Sequence, residues 1–345
     1  MKKVTVLVTG VGGRSVGHQV LHALLIHGDK YRIVATDASP FSYGLYQVDT
    51  RYIVPPADAD AYVPCINRII EHENVDVVLP GTEPEVRVLA SVVLRCPLIV
   101  NPAPVVELCA NKQRLYTWLD EHEFIVPKTV RGGDWQRLVE QVGFPIVGKP
   151  TEGTGGSRGV AILKDRSEIL SFLAETDPEK VVFQEYVGTG EDEYTVGVLV
   201  SEDGKLIDSI VLKRKLVGLT RGIARAIAGH QYVLSTGYSQ GVLMRQALIQ
   251  ETCEQLALRI GIRGPVNVQL RVDGKRVVIF EVHPRFSGTT SIRADVGFNE
   301  PDILIRNFLT HEQFGRIDFR TEVAAIRAFS NIIVPISVLD SVPRP

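Results

Sequence analysis

Short continuous apolar runs alternate with helix-spaced apolar residues along the first third of the chain. Val4–Thr9 is an uninterrupted apolar strand, and Ser15–His27 places Val16, Val20, Leu24 and Leu25 on one side of a helix. Arg32–Thr36 reads as a second strand ending at Asp37, Tyr62–His72 as a helix, and Val75–Leu79 as a third buried strand stopped by Pro80-Gly81. Glu85–Arg95 is helical and Leu98–Val100 a short strand. Strand and helix in alternation predict a doubly wound parallel sheet, an α/β arrangement. Ligands of such sheets sit beyond the carboxyl ends of the strands. Those ends carry Gly10–Gly13, Asp37 and Thr82-Glu83.

The pattern then changes. After a helix at Asn111–His122 come Phe144–Lys149, a glycine-rich stretch at 153–159, Val160–Leu163 and the apolar strand Val181–Val187. Beyond a polar turn, Gly188–Asp192, the strands lengthen and alternate: Tyr194–Val200, Ile207–Lys213, Asn267–Val272 and Val277–Val282. Alternation suits an antiparallel sheet, so the second part reads as α+β. A long helix is expected over about Gln240–Ile260, with Leu243, Ala247, Leu256 and Ile260 among its apolar positions. Boundaries are expected near 102–111, where Pro102 and Pro104 break the chain, and near 188–192.

Composition narrows the class. The 345 residues suffice for two or three domains, and the formal net charge of -2 gives no sign of a nucleic-acid partner. No apolar run approaches a bilayer span, and the N-terminal run stops at Gly10 with Arg14 behind it, which favours a buried strand over a signal peptide. Cys65, Cys96, Cys109 and Cys253 are scattered and form no CxxC, as expected of reduced thiols in a cytoplasmic protein.

Four segments carry chemistry. In Gly148-Lys149-Pro150 and Glu152-Gly153-Thr154-Gly155-Gly156-Ser157-Arg158-Gly159, a strand ends in a lysine and a glycine-rich turn follows. Such a turn brings backbone N–H groups close to phosphate oxygens, and the lysine adds a point charge. It is not a Walker motif, and by itself it equally describes a glycine hairpin. Gln184-Glu185-Tyr186-Val187 and Glu191-Asp192-Glu193-Tyr194 could offer backbone to an adenine edge and a carboxylate to ribose; alone they read as a surface hairpin with solvated acids. Asn267-Val268-Gln269-Leu270 and Phe280-Glu281-Val282-His283-Pro284-Arg285 flank the hairpin signal Asp273-Gly274. That hairpin sets Gln269 near Glu281 and His283, as a phosphate-bound Mg²⁺ requires of its oxygen donors; an acid paired with a nearby arginine is the plain alternative. Finally, Arg285-Phe286-Ser287-Gly288-Thr289-Thr290-Ser291, with Arg293 beyond, offers cations to a transferring phosphoryl group and small groups to a carboxylate.

In this order the segments resemble the ATP-grasp superfamily, most closely the branch like the large subunit of carbamoyl phosphate synthetase and related carboxylate–amine ligases. The resemblance covers essentially the whole chain. It implies a pre-ATP-grasp Rossmann-like domain at 1–110, a small lid subdomain at 111–189 and a large subdomain at 190–345 with the metal and phosphate site. It implies ATP with Mg²⁺ as cofactors, small-molecule carboxylate and amine substrates, and room for a homodimer. Lys112 and Lys149 match phosphate-binding basic residues, and Thr154, Gly155, Gly156 and Ser157 the phosphate loop. Glu185, Tyr186 and Val187 match the adenine linker and Glu193 the ribose acid, with Glu191 or Asp192 as alternatives. Gln269 and Glu281 match metal ligands and Arg285 the arginine on the transferred phosphate, with Lys213 and Arg214 as further γ-phosphate cations and Arg293 grouped with them. Glu83, Ser287, Gly288 and Thr289 are the candidate substrate contacts.

One residue departs from the pattern. The family's Glu-x-Asn-Pro-Arg run is here Glu281-Val282-His283-Pro284-Arg285. Imidazole suits Mn²⁺ or Zn²⁺ better than Mg²⁺. His283 therefore binds a second metal with Mn²⁺ favoured, donates to phosphate, or marks a chain that binds ATP with weakened turnover. Two other classes compete with the ligase: a non-catalytic ATP-binding module of a larger assembly, and an NAD(P)-binding protein using Gly10-x-Gly12 and Asp37.

Overall fold

The computed structural model describes residues 2–152, 159–188, 190–218 and 221–345. The N-terminal part comprises β1 (Val4–Val8), α1 (Val16–Leu25), β2 (Tyr31–Asp37), β3 (Thr50–Ile53), α2 (Tyr62–Glu73), β4 (Val77–Leu79), α3 (Glu83–Leu89) and α4 (Ala103–Ala110). Its four strands form a parallel sheet in the order β3-β2-β1-β4. Successive residues of β1 enter different cores: Val6 and Val8 pack toward α1, Leu7 toward α2. Burial on both faces is why this strand is apolar throughout.

Next come α5 (Lys112–Glu121), β5 (Thr129–Arg131), α6 (Trp135–Val142), β6 (Ile146–Pro150), β7 (Ala161–Leu163), α7 (Arg166–Ala174) and β8 (Val181–Glu185). These strands make a small antiparallel sheet, β5-β8-β6-β7, over a core of Trp135, Leu138, Ile169 and Phe183. The rest comprises β9 (Glu193–Val200), β10 (Leu206–Arg214), β11 (Arg221–Ile227), β12 (His230–Ser235), β13 (Gly241–Met244), α8 (Ala247–Ile260), β14 (Gly264–Asp273), β15 (Arg276–His283), α9 (Thr290–Asp295), α10 (Glu300–Thr310), β16 (Val323–Ala325) and α11 (Ile336–Asp340). Six of its strands form a large antiparallel sheet, β15-β14-β9-β10-β13-β16. Val196, Val198, Val211, Val266 and Val268 line one face and pack on α8. Leu199, Ile210 and Leu212 line the other and share a core with β1 and α1, so the parallel and large sheets are joined through one apolar layer.

The α/β-then-α+β expectation holds. The Asp273-Gly274 hairpin forms, with Gly274 at φ +62° where a side chain would be strained. Several expected elements differ. The long helix over Gln240–Ile260 is a strand followed by a helix: Val242 and Leu243 pair with Lys213 and Leu212, and Gln246 caps α8 by accepting from Ile249 N–H at 2.6 Å. Helical and strand spacing agree over so short an apolar run, and the free edge of β10 decides between them. Leu98–Val100 is a single bridge from Leu98 to Val78, and the Glu85–Arg95 helix is the shorter α3. Pro102 and Pro104 open α4 rather than breaking the chain, since proline needs no hydrogen bond in a first turn. The β11–β12 hairpin was not foreseen; Arg225 ties it to the small sheet by donating to Ile162 O at 2.7 Å and pairing with Glu168.

Candidate active site

A cleft of about 820 Å³ opens between the small and large sheets and reaches the start of α3. Strand alternation builds its floor. Asn267, Gln269 and Arg271 project from one face of β14 while Val266, Val268 and Leu270 enter the core behind. Gln269 lies directly opposite Glu281, and Asn267 opposite His283. A register shift next to Leu270 pairs it with Ile279, so Phe280 and Glu281 both reach the cleft. Re-aiming two neighbouring side chains in this way is what a bulge does beside a site.

His283 Nε2 lies 3.2 Å from Glu281 Oε1, and Arg285 Nη2 lies 3.4 Å from His283 Nδ1. Arg285 also meets Glu83 at 3.6 Å and donates to Phe286 O at 2.9 Å. Burial works against the charge on Glu281, but His283, Lys149 and Lys112 outweigh it and hold the carboxyl below its usual range. Lys149 comes from the small sheet, donates to Gln184 Oε1 at 2.6 Å and lies 5.6 Å from the Phe280 ring centre. Burial, aided by Lys112 and Arg271, pulls its pKa down to about 8. Lys112 opens α5, capped by Asn111, and its N–H donates to Thr151 O at 2.9 Å, which fixes the helix start beside β6.

Glu185, Tyr186 and Val187 line the same cleft. Glu185 accepts from Lys128 N–H at 3.1 Å, and the Tyr186 hydroxyl donates to Val233 O at 2.9 Å, joining the linker to the β11–β12 hairpin. Of the three acids after the turn, Glu193 lines the cleft. Its carboxylate is 1% exposed and held from both sides: Oε1 accepts from Arg214 at 3.0 Å, and Oε2 from Arg271 at 3.1 and 2.9 Å. Arg214 also donates to Ser235 Oγ at 2.9 Å and Gln269 Oε1 at 3.3 Å. At the far end Ser287, Gly288 and Thr289 form a closed loop, with Thr289 N–H donating to Ser287 Oγ at 3.0 Å. Glu83 reaches this end from α3, whose start is fixed by a capping box between Thr82 and Glu85.

Two of the expected cations stand outside the cleft. Lys213 alternates away from Arg214 on β10 and meets Asp192 at 3.2 Å. Arg293 is 1% exposed, pairs with Glu300 at 2.7 Å and donates to Asn267 Oδ1 at 2.7 Å. It props up a cleft residue from behind. Thr154, Gly155, Gly156 and Ser157 lie outside the described residues. The sequence reading missed Arg271, although its i+2 spacing from Gln269 was a usable signal; it missed Arg14 and Arg327, which also line the cleft, because neither belongs to a motif.

The Gly10–Gly13 turn does not follow the dinucleotide reading. Gly44 N–H donates to Val11 O at 3.0 Å, Tyr43 packs onto Gly13, and Asp37 accepts from Ser39 N–H at 3.0 Å. The turn and its acid are thus engaged by the chain itself.

Known proteins share this fold. Residues 6–96 match the PylC-like N-terminal domain, and residues 178–329 match the ATP-grasp in the biosynthetic pathway with Ter operon. The carbamoyl phosphate synthase large chain of Renibacterium salmoninarum is 22% identical over 84% of this chain, which spans 27% of that protein. N5-carboxyaminoimidazole ribonucleotide synthetase of Thermus thermophilus aligns over 93% of this chain and 81% of its own, with TM-score 0.64 and 16% identity. Biotin carboxylase of Campylobacter jejuni, solved as a β-γ-ATP complex, aligns over 88% and 70%, with TM-score 0.61 and 14% identity. Residues 178–329 thus match an ATP-grasp family.

Proposed function

We propose that the chain is an ATP-dependent carboxylate–amine ligase. The observation that carries this is the convergence of Lys149 from one sheet with Gln269, Glu281 and Arg285 from another, all on one cleft. A substrate carboxylate oxygen attacks the γ-phosphorus, the bond to the β–γ bridging oxygen breaks, and ADP leaves an acyl phosphate. An amine then attacks the acyl carbon and expels phosphate. Such chemistry asks mainly for positioning and charge neutralisation. Lys112, Lys149 and Arg285 supply positive charge, Glu185–Val187 the edge for adenine, Glu193 a carboxylate at the ribose end, and Glu83 with Ser287–Thr289 the substrate end. Thr154–Ser157 complete the reading as the phosphate loop.

The donor set fits Mg²⁺ of the kind that rides on a nucleotide: one carboxylate, Glu281, an amide oxygen, Gln269, and phosphate oxygens and water for the rest. When bound it neutralises charge on the β- and γ-phosphates. The reading includes divisions at 110/111 and 189/190, small-molecule carboxylate and amine partners, and a reduced cytoplasmic setting. The setting is supported by four free thiols and by the absence, among the described residues, of any helix long and apolar enough to cross a membrane.

Phosphate release and product mass, measured over a panel of carboxylates paired with amines, test the ligase. Stimulated release with a condensed product is expected. ADP binding with no stimulation across the panel would favour a non-catalytic ATP-binding module, the reading that the His283–Glu281 contact keeps in play.

A further inference from the structure

A second cavity of about 620 Å³ lies between α1, α9 and the chain following β16. It shares Arg14, Gln19, Tyr238 and Arg327 with the cleft, so these four form the passage between the two. Arg327 is held there by neutral acceptors alone. Its Nη2 donates to Gly288 O at 2.7 Å, Ser291 Oγ at 2.9 Å and Gln19 Oε1 at 3.0 Å. The centre of the Tyr238 ring lies 5.1 Å from Arg327 Cζ and 6.0 Å from Arg14 Cζ.

Among the described residues neither arginine forms an ion pair, and Arg327 Nε and Nη1 have no hydrogen-bond partner. The nearby acid, Asp295, is engaged by His22 at 2.9 Å. Burial acts against the charge on Arg327, yet a guanidinium stays protonated. Asp295 offsets part of this charge from a distance, but no anion contacts the guanidinium, and a buried cation is costly where none meets it directly. With Nη2 spent on its neutral acceptors, Nη1 and Nε keep N–H groups for single charge-assisted hydrogen bonds to the oxygens of a carboxylate or phosphate. Beyond it, Leu243, Ile292, Val296 and Val323 give the cavity an apolar wall.

Resting on the ligase reading, we infer that the substrate carries a second anionic group, a carboxylate or a phosphate monoester, held by Arg327 and Arg14 at this passage. The carboxylate to be phosphorylated lies on the cleft side of the Ser287–Thr289 loop, and an apolar portion of the substrate extends into the second cavity.

The test is calorimetric binding to the ADP-loaded protein with matched probes that each keep one carboxylate: glutarate against glutaramate, and phosphoserine against serine. The charged member of at least one pair should bind tenfold or more tighter than its neutral partner. Arg327→Gln should remove that preference, Arg14→Gln should weaken it about threefold, and Arg327→Lys should keep part of it, because lysine retains the charge without the guanidinium's several donors. The pair that responds identifies the anion. No preference in either pair, or a preference that survives Arg327→Gln, overturns the site. Should Arg327→Gln fail to fold, the Arg14→Gln and Arg327→Lys comparison decides. Phosphate release by the wild-type protein is scored separately. Anion preference without release from any carboxylate sinks the ligase reading alone, and release from dianionic substrates that ignores Arg327 sinks the anion site alone.

Discussion

His283 and Glu281 face one another across 3.2 Å on the same side of β15, imidazole Nε2 to carboxylate Oε1. Arginine can only donate, so the 3.4 Å contact from Arg285 Nη2 makes His283 Nδ1 an acceptor. The network therefore assigns the proton to Nε2, which donates to Glu281. Both ring nitrogens are committed, and the imidazole orients an acid and an arginine that line the same cleft.

It follows that His283→Asn should leave the ratio of Mg²⁺- to Mn²⁺-supported turnover within about twofold, because the nitrogen it removes is spent on Glu281. Steady-state rates in each metal give the answer. A tenfold or larger swing toward Mg²⁺ would show that the imidazole had been a ligand.

Lys149 gives the site a pH dependence. Its pKa of about 8 lies below the ordinary 10.5, so between those values the unfolded chain binds more protons than the folded one. Linkage then makes stability rise with pH across that window. Nucleotide binding runs the other way: phosphates favour the charged amine, and ADP affinity should fall as pH climbs past 8. Titrations in buffers of different ionisation enthalpy should register proton uptake near pH 8.5 that disappears in Lys149→Met. Constant affinity to pH 9.5 would refute this.

Glu193 neutralises Arg214 and Arg271 together. Glu193→Gln should cost about 3–5 kcal/mol, the penalty for stranding buried charge, read by chemical denaturation. A loss below 1 kcal/mol would mean that the arginines find other partners.

Arg293 should behave as a support. Arg293→Met is expected to lower stability by about 3–5 kcal/mol, and the double variant with Glu300→Gln to recover much of that, because no charge is left alone. Gly197→Ala should disturb the same pair, since its Cβ would fall 2.2 Å from Arg293 Nη1. A catalytic role would instead show as lost turnover at unchanged stability.

Local physics made much of this chain legible. An apolar run such as Val4–Val8 follows from burial on both faces, Asp273-Gly274 demands a hairpin, and that hairpin alone sets Gln269 opposite Glu281. Lys149, at a strand end beside a glycine-rich turn, was already a candidate in the sequence, and it lines the cleft. Tertiary structure decided which side chains share a space. Alternation says that Lys213 and Arg214 point apart, but only the packed sheet shows that Arg214 has the cleft and Lys213 the other face. Arg293 looks like a catalytic cation until Glu300 and Asn267 are seen to enclose it. Arg14 and Arg327 are more than 300 positions apart and meet around one tyrosine. Spacing along a chain fixes neighbours a few residues away, whereas long-range contact depends on how whole layers pack, which no local pattern encodes.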